Sequence, residues 1–112
     1  MRLTLAALLI ATACAVCSPM PAQAVADDGV IYGAGNASCG RWVEARRTKD
    51  FFNYTPLVDW TQGFITAASM AGFRLKEADG AAVRVFLDEY CERNPTDKIN
   101  DAAYHLTMTL RY

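Results

Sequence analysis

Two cysteines on separate helical stripes constrain this chain more than any other feature. Cys39 opens a segment in which Trp42 and Val43 follow three and four positions later. Cys91 closes a segment in which Val83, Phe86, Leu87 and Tyr90 precede it at the spacing of an amphipathic helix. A bond between them would pin the start of one helix to the end of another through the core. Whether they pair depends on the redox compartment, and the first residues of the chain bear on that.

Arg2 is followed by an apolar run, Leu3 to Val16, and then by Ser18-Pro19-Met20-Pro21 and Ala22-Gln23-Ala24. A charged start, a short apolar core and small residues at the −3 and −1 positions are the layout of a secretory signal peptide. Cleavage is expected between Ala24 and Val25. The run is shorter than the roughly 20 residues that span a bilayer, so no membrane span is expected. Lipoprotein processing at Cys14 or Cys17 is the alternative, since Ala11-Thr12-Ala13-Cys14 loosely resembles a lipobox without its leading leucine. Either route leads out of the cytoplasm, and a periplasmic location is expected. Cys14 and Cys17 fall within the signal, which leaves Cys39 and Cys91. An even pair in an oxidising compartment is expected to be bonded.

At 112 residues the chain holds one domain. Beyond the signal, ten basic side chains face twelve acidic ones, and the two signs are interspersed. This pattern argues against a nucleic-acid partner. The expected division is a signal peptide over 1–24, a flexible glycine-rich arm over 25–37 and a helical domain over 38–112. The arm is read from Asp27-Asp28-Gly29 and Gly33-Ala34-Gly35-Asn36, which surround one short apolar patch, Val30 to Tyr32.

Four helices are expected in the domain. Ser38 caps the first, and Arg46, Arg47 and Lys49 suit its C-terminal end. Asp50 to Tyr54 reads as a turn rich in aromatics. The second helix is expected from about Thr55, with Pro56 at its first position, a buried stripe of Leu57, Trp60, Phe64, Ile65 and Ala68, and Gly72 at its end. Asp79 caps the third, which Asn94-Pro95 stops. Pro95 or Asp97 opens the fourth, with Ile99, Ala102, Ala103, Leu106 and Leu110 facing inward.

The residue set argues against an enzyme. His105 is the sole histidine, and a triad or a cysteine–histidine pair would need it beside a free nucleophile. Metal binding would want clustered Cys and His, which are not present together, and no cofactor is expected. His105 reads as a boundary histidine or as a pH switch. Asp88, Glu89 and Glu92 read as a solvated face or as a contact surface for a basic partner. Phe51, Phe52 and Tyr54 read as a lid on the bundle or as an apolar patch for a partner or a second copy of the chain.

Several of these residues also form short patterns. Ser38-Cys39 opening a helix with Trp42, then Trp60-x-x-Gly63-Phe64, then Cys91 with Pro95 four residues later, resembles the HdeA-type periplasmic acid-stress chaperones. Gly63-Phe64-Ile65-Thr66-Ala67, Leu87-x-x-Tyr90, Asn94-Pro95 and Asp101-Ala102-Ala103-x-x-Leu106 resemble the Rap/Tai immunity proteins of type VI secretion. The first resemblance implies an all-α, four-helix HdeA-like bundle with one inter-helix disulfide, and a stress chaperone whose partners are unfolded client proteins. The second implies a protein that binds and neutralises a secreted toxin. A structural periplasmic protein with neither role is the third reading.

Overall fold

The computed structural model describes residues 29–112. The signal peptide, its cleavage site at Ala24 and Val25, and the cysteines at 14 and 17 lie outside the described residues. Within them the chain is all-helical: a 3-10 turn, Gly33–Asn36, precedes α1 (Cys39–Arg47), α2 (Phe51–Met70), α3 (Gly80–Arg93) and α4 (Ile99–Leu110). The only extended pairings among the described residues are two isolated bridges, Ser38 with Lys98 and Leu75 with Arg111.

Local chemistry accounts for most boundaries. Ser38 is extended, and its Oγ accepts the Arg41 N–H at 3.1 Å, satisfying one of the orphan donors of α1. Asp79 does the same for α3 through the Ala82 N–H at 2.8 Å. α3 ends at Arg93, just before Asn94-Pro95. Gly72 ends α2 in the left-handed region, at φ 103°. The Phe73 N–H reaches back to the Ala68 carbonyl at 3.2 Å and the Gly72 N–H to Ser69 at 3.1 Å. Those two bonds are the Schellman pattern.

Two boundaries differ from expectation. The aromatic turn is the first turn of α2, because Asp50 caps it by accepting the Asn53 N–H at 3.2 Å. Pro56 therefore lies inside the helix, where it withholds one hydrogen bond from the Phe52 carbonyl in an exposed first turn. α4 begins at Ile99 and not at Pro95 or Asp97. The carbonyls of those two residues are committed elsewhere: Asp97 accepts the Cys39 N–H at 2.7 Å and Pro95 the Gly40 N–H at 3.2 Å. Residues 95–98 thus form a link that satisfies the N-terminus of α1. Helix α4 then starts with the Asp101 carboxylate accepting the Lys98 N–H at 2.9 Å.

The core lies between all four helices. Cys39 and Trp42 of α1 meet Leu57 and Val58 of α2, Val83, Leu87, Tyr90 and Cys91 of α3, and Ile99, Ala102 and Leu106 of α4. The Cys39 and Cys91 sulfurs are bonded at 2.07 Å, with both residues fully buried. The stripe of α2 is rotated from the expected one. Leu57, Val58 and Thr61 are its buried residues, while Trp60, Phe64, Ile65 and Ala68 are half-buried. Thr61 meets no penalty there, since its hydroxyl donates to the Leu57 carbonyl at 2.8 Å. Val43 lies at the edge of the buried face, 37% exposed, and α1 buries Ala45 instead.

The arm was expected to be flexible; over Gly33–Ala37 it is instead packed against the bundle. Trp60 Nε1 donates to the Tyr32 carbonyl at 2.8 Å, and the indole lies so close over Gly35 that a Cβ there would overlap it. Glycine is required here by close approach rather than by flexibility. Gly35→Ala is expected to lift the turn off α2 at a cost of ~1–3 kcal/mol. Limited proteolysis should then cut within residues 29–37 well before the helices. An unchanged cleavage pattern would show that Trp60 can move aside.

Candidate binding surfaces

Trp42 and Arg46 lie one turn apart on α1, so both face α3. The Trp42 Nε1–H donates to Asp88 Oδ1 at 3.0 Å. Arg46 reaches the same carboxylate with both prongs of its fork, Nε to Oδ1 at 2.9 Å and an Nη to Oδ2 at 3.0 Å. The guanidinium also lies over two rings, 4.9 Å from the centre of Tyr54 and 5.6 Å from that of Trp42. Hydrogen bonding to Asp88 holds the Arg46 proton more firmly than usual, against the opposing effect of burial. One carboxylate therefore ties α1 to α3, and one arginine ties that carboxylate to the start of α2.

This arrangement divides the residues expected to form a partner surface. Asp88 is committed to Arg46 and Trp42, and it is not part of a free acidic face. Glu89 and Glu92 on the same helix are exposed. Tyr54 packs against the core with its ring 6.0 Å from that of Trp42. Phe51 and Phe52 point outward, with 60% and 89% of their surface accessible. Phe51 is edge-on to both Phe52 and Tyr54, at 6.4 and 5.6 Å. The lid and the patch are thus both present, with Tyr54 as lid and Phe51–Phe52 as patch. Arg46, which joins the aromatic and acidic groups, carries no weight in the sequence reading beyond its place near a helix end. Its position four residues after Trp42 is the signal that could have found it.

At the other side of α3, the Tyr90 hydroxyl donates to Asp97 Oδ2 at 2.6 Å. Burial first, and then this bond and the carboxylate charge, push the phenol above its ordinary value. An acid whose folded value is raised keeps its proton longer in the folded state. Its contribution to stability is present below the ordinary tyrosine value of about 10 and declines above it. His105 is exposed, with its ring 5.2 Å from Tyr90 and 5.9 Å from Tyr104.

Among the described residues no group of three or more His, Cys, Asp or Glu side chains stands close enough to hold a metal ion. None of the described helices is long and apolar enough to cross a membrane. Comparison of the chain with protein-family models, with curated proteins and with solved structures found no match.

Proposed function

We propose that the protein is an exported, non-enzymatic binding protein that acts as an acid-responsive periplasmic chaperone in the manner of the HdeA type. The observation that carries this reading is the Arg46–Asp88 pair, set over Trp42 and Tyr54 between three helices. The pair holds aromatic surface in place between the helices, so whatever loosens the bundle exposes that surface. Near pH 2 the carboxylates are neutral while the basic side chains stay charged, so self-repulsion grows as the ion pair is lost. The Cys39–Cys91 bond limits the expansion. Apolar stripes then become available to unfolding clients.

The test is a pH titration of the secreted protein with tryptophan emission and suppression of client aggregation as readouts. Loosening between pH 4 and 2, accompanied by suppression, is the expected result. Asp88→Asn should shift the loosening toward neutral pH. A domain that stays native and monomeric at pH 2 without protecting a client would overturn the reading.

The exposed Phe51–Phe52 pair favours a second reading, because the folded bundle presents it without any opening. An immunity protein would use it to occlude a secreted toxin. Phe51→Ser with Phe52→Ser would then abolish a stoichiometric complex at neutral pH, and a neighbouring gene for a peptidoglycan hydrolase would name the toxin.

A further inference from the structure

Residues 29–36 lie as a strap against α2, and what holds them is mostly main chain and small residues. The Trp60 Nε1–H donates to the Tyr32 carbonyl at 2.8 Å. Gly33 turns the chain in the left-handed region at φ 69°, and Gly35 then passes beneath the indole, where a Cβ would overlap the ring. Asn36 closes the turn by donating through Nδ2 to the Ile31 carbonyl. Phe64 backs the indole from the next turn of α2, with ring centres 5.5 Å apart. Two of the three large side chains of the strap are turned to solvent: Val30 and Tyr32 are 70% and 78% exposed. The segment carries no charged side chain.

The strap is held at few points. An open cleft of about 600 Å³ lies between Gly29, Ile31 and Asn36 of the strap and Thr96, Lys98 and Asp101 of the bundle. Ordering a glycine costs more backbone entropy than ordering any other residue, and three of these eight residues are glycines. Segments with few buried apolar contacts open at the low end of the range of local stabilities. Ala37 marks the hinge, because its carbonyl accepts the Ile99 N–H at 2.9 Å and ties it to the start of α4.

We infer that the face of α2 around Trp60 is a recognition site for an uncharged polypeptide segment of a partner protein, and that the strap is its resident, displaceable occupant. The contacts at Trp60 do not depend on the strap being joined to the bundle. The site asks for one main-chain carbonyl to accept the Trp60 Nε1–H and, three residues on, for a position without a side chain that passes beneath the ring. A partner segment with glycine at that position meets both demands whatever its larger side chains, as main-chain recognition does elsewhere. When the strap leaves, the indole N–H and the Trp60–Phe64 surface become available to such a segment. The tethered strap competes at an effective concentration on the order of millimolar, so the open site is a minority state until a partner takes it. The inference needs no acid opening of the bundle and does not rest on the chaperone reading.

The test uses the full secreted protein and a fluorescein-labelled peptide of residues 29–36, read by anisotropy. The unsubstituted protein should bind the peptide at least about tenfold more weakly than the Gly35→Ala protein, whose own strap no longer seats. A peptide that itself carries Gly35→Ala should bind neither protein. In the Gly35→Ala protein the Trp60 indole N–H resonance should shift on loss of the strap and return when the native peptide is added. Gly35→Val takes the place of Gly35→Ala if the indole yields to a methyl group. A folded variant with its strap released that leaves the native peptide unbound would overturn the proposal. So would equal binding of the two peptides, equal affinity of the two proteins, or a strap that stays seated in both variants. An unsubstituted protein that is dimeric through exchanged straps would overturn it too, and would give the site to a second copy of the chain.

Discussion

Serine at both Cys39 and Cys91 is expected to leave the domain largely unfolded or molten at 37 °C. The bond spans 52 positions in the sequence. The chain-entropy account places the stabilisation from closing a loop of that length at about 4 kcal/mol, exerted mainly by restricting the unfolded chain. A domain of this size has a total stability of only about 5–10 kcal/mol. The bond also joins α1 to α3 where both residues are fully buried, so its loss frees two helix ends at once. Serine adds a second cost by placing hydroxyls in an apolar setting. Cys39→Ala with Cys91→Ala removes that complication and should still melt far below the parent in circular dichroism. Alkylation supplies the complementary measurement: the native, non-reduced protein should show no free thiol at Cys39 or Cys91. Labelling of Cys39 and Cys91 in the native protein would mean that the staple is absent in solution and would remove the main support of the architecture.

Helix α3 shows how far local signals reach. Its cap at Asp79, its stripe through Val83, Leu87, Tyr90 and Cys91, and its stop before Pro95 all follow from the sequence, because each depends on near neighbours. The start of α2 escapes a local reading because a proline at the first helical position is a strong pattern, whereas Pro56 sits within a helix already begun by Asp50. The late start of α4 could not be read locally at all. It follows from the carbonyls of Pro95 and Asp97 bonding the N-terminus of α1, which lies far away in sequence. The same holds for Gly35, since a glycine pair looks identical whether it is loose or pressed beneath Trp60.

The candidate site was legible in its parts and not in their union. Phe51, Phe52 and Tyr54 are conspicuous as a cluster, as are Asp88, Glu89 and Glu92. The amphipathic pattern places Asp88 near the boundary between the inward and outward faces of α3, but charge alone does not say which cation reaches it. Arg46, Arg47 and Lys49 are equal candidates in the sequence. Only the crossing of α1 over α3 selects Arg46, and the choice turns an apparent acidic face into an inter-helix tie with two exposed glutamates beside it.

Trp42→Ala is expected to be the most damaging single side-chain truncation outside the disulfide. The ring is fully buried, contacts Tyr54 edge-on, and belongs to the cluster that contains both cysteines. Truncating a buried aromatic to alanine costs about 3–5 kcal/mol, comprising lost transfer energy and the cavity left behind. That approaches the stability of the whole domain. Trp42→Phe separates the ring from its polar edge. It keeps most of the apolar volume but removes the Nε1–H that reaches Asp88 at 3.0 Å. A hydrogen bond to a charged group is worth about 1.5–3 kcal/mol, and the partial exposure of Asp88 argues for the low end of that range. Urea unfolding should therefore place Trp42→Phe between the parent and Trp42→Ala, nearer the parent. In a double-mutant cycle with Asp88→Asn the phenylalanine and asparagine effects should be less than additive, since both weaken one shared contact. Strict additivity would mean that the Trp42–Asp88 bond contributes nothing in solution. A Trp42→Phe variant as unstable as Trp42→Ala would shift the weight from the packed ring to the polar tie.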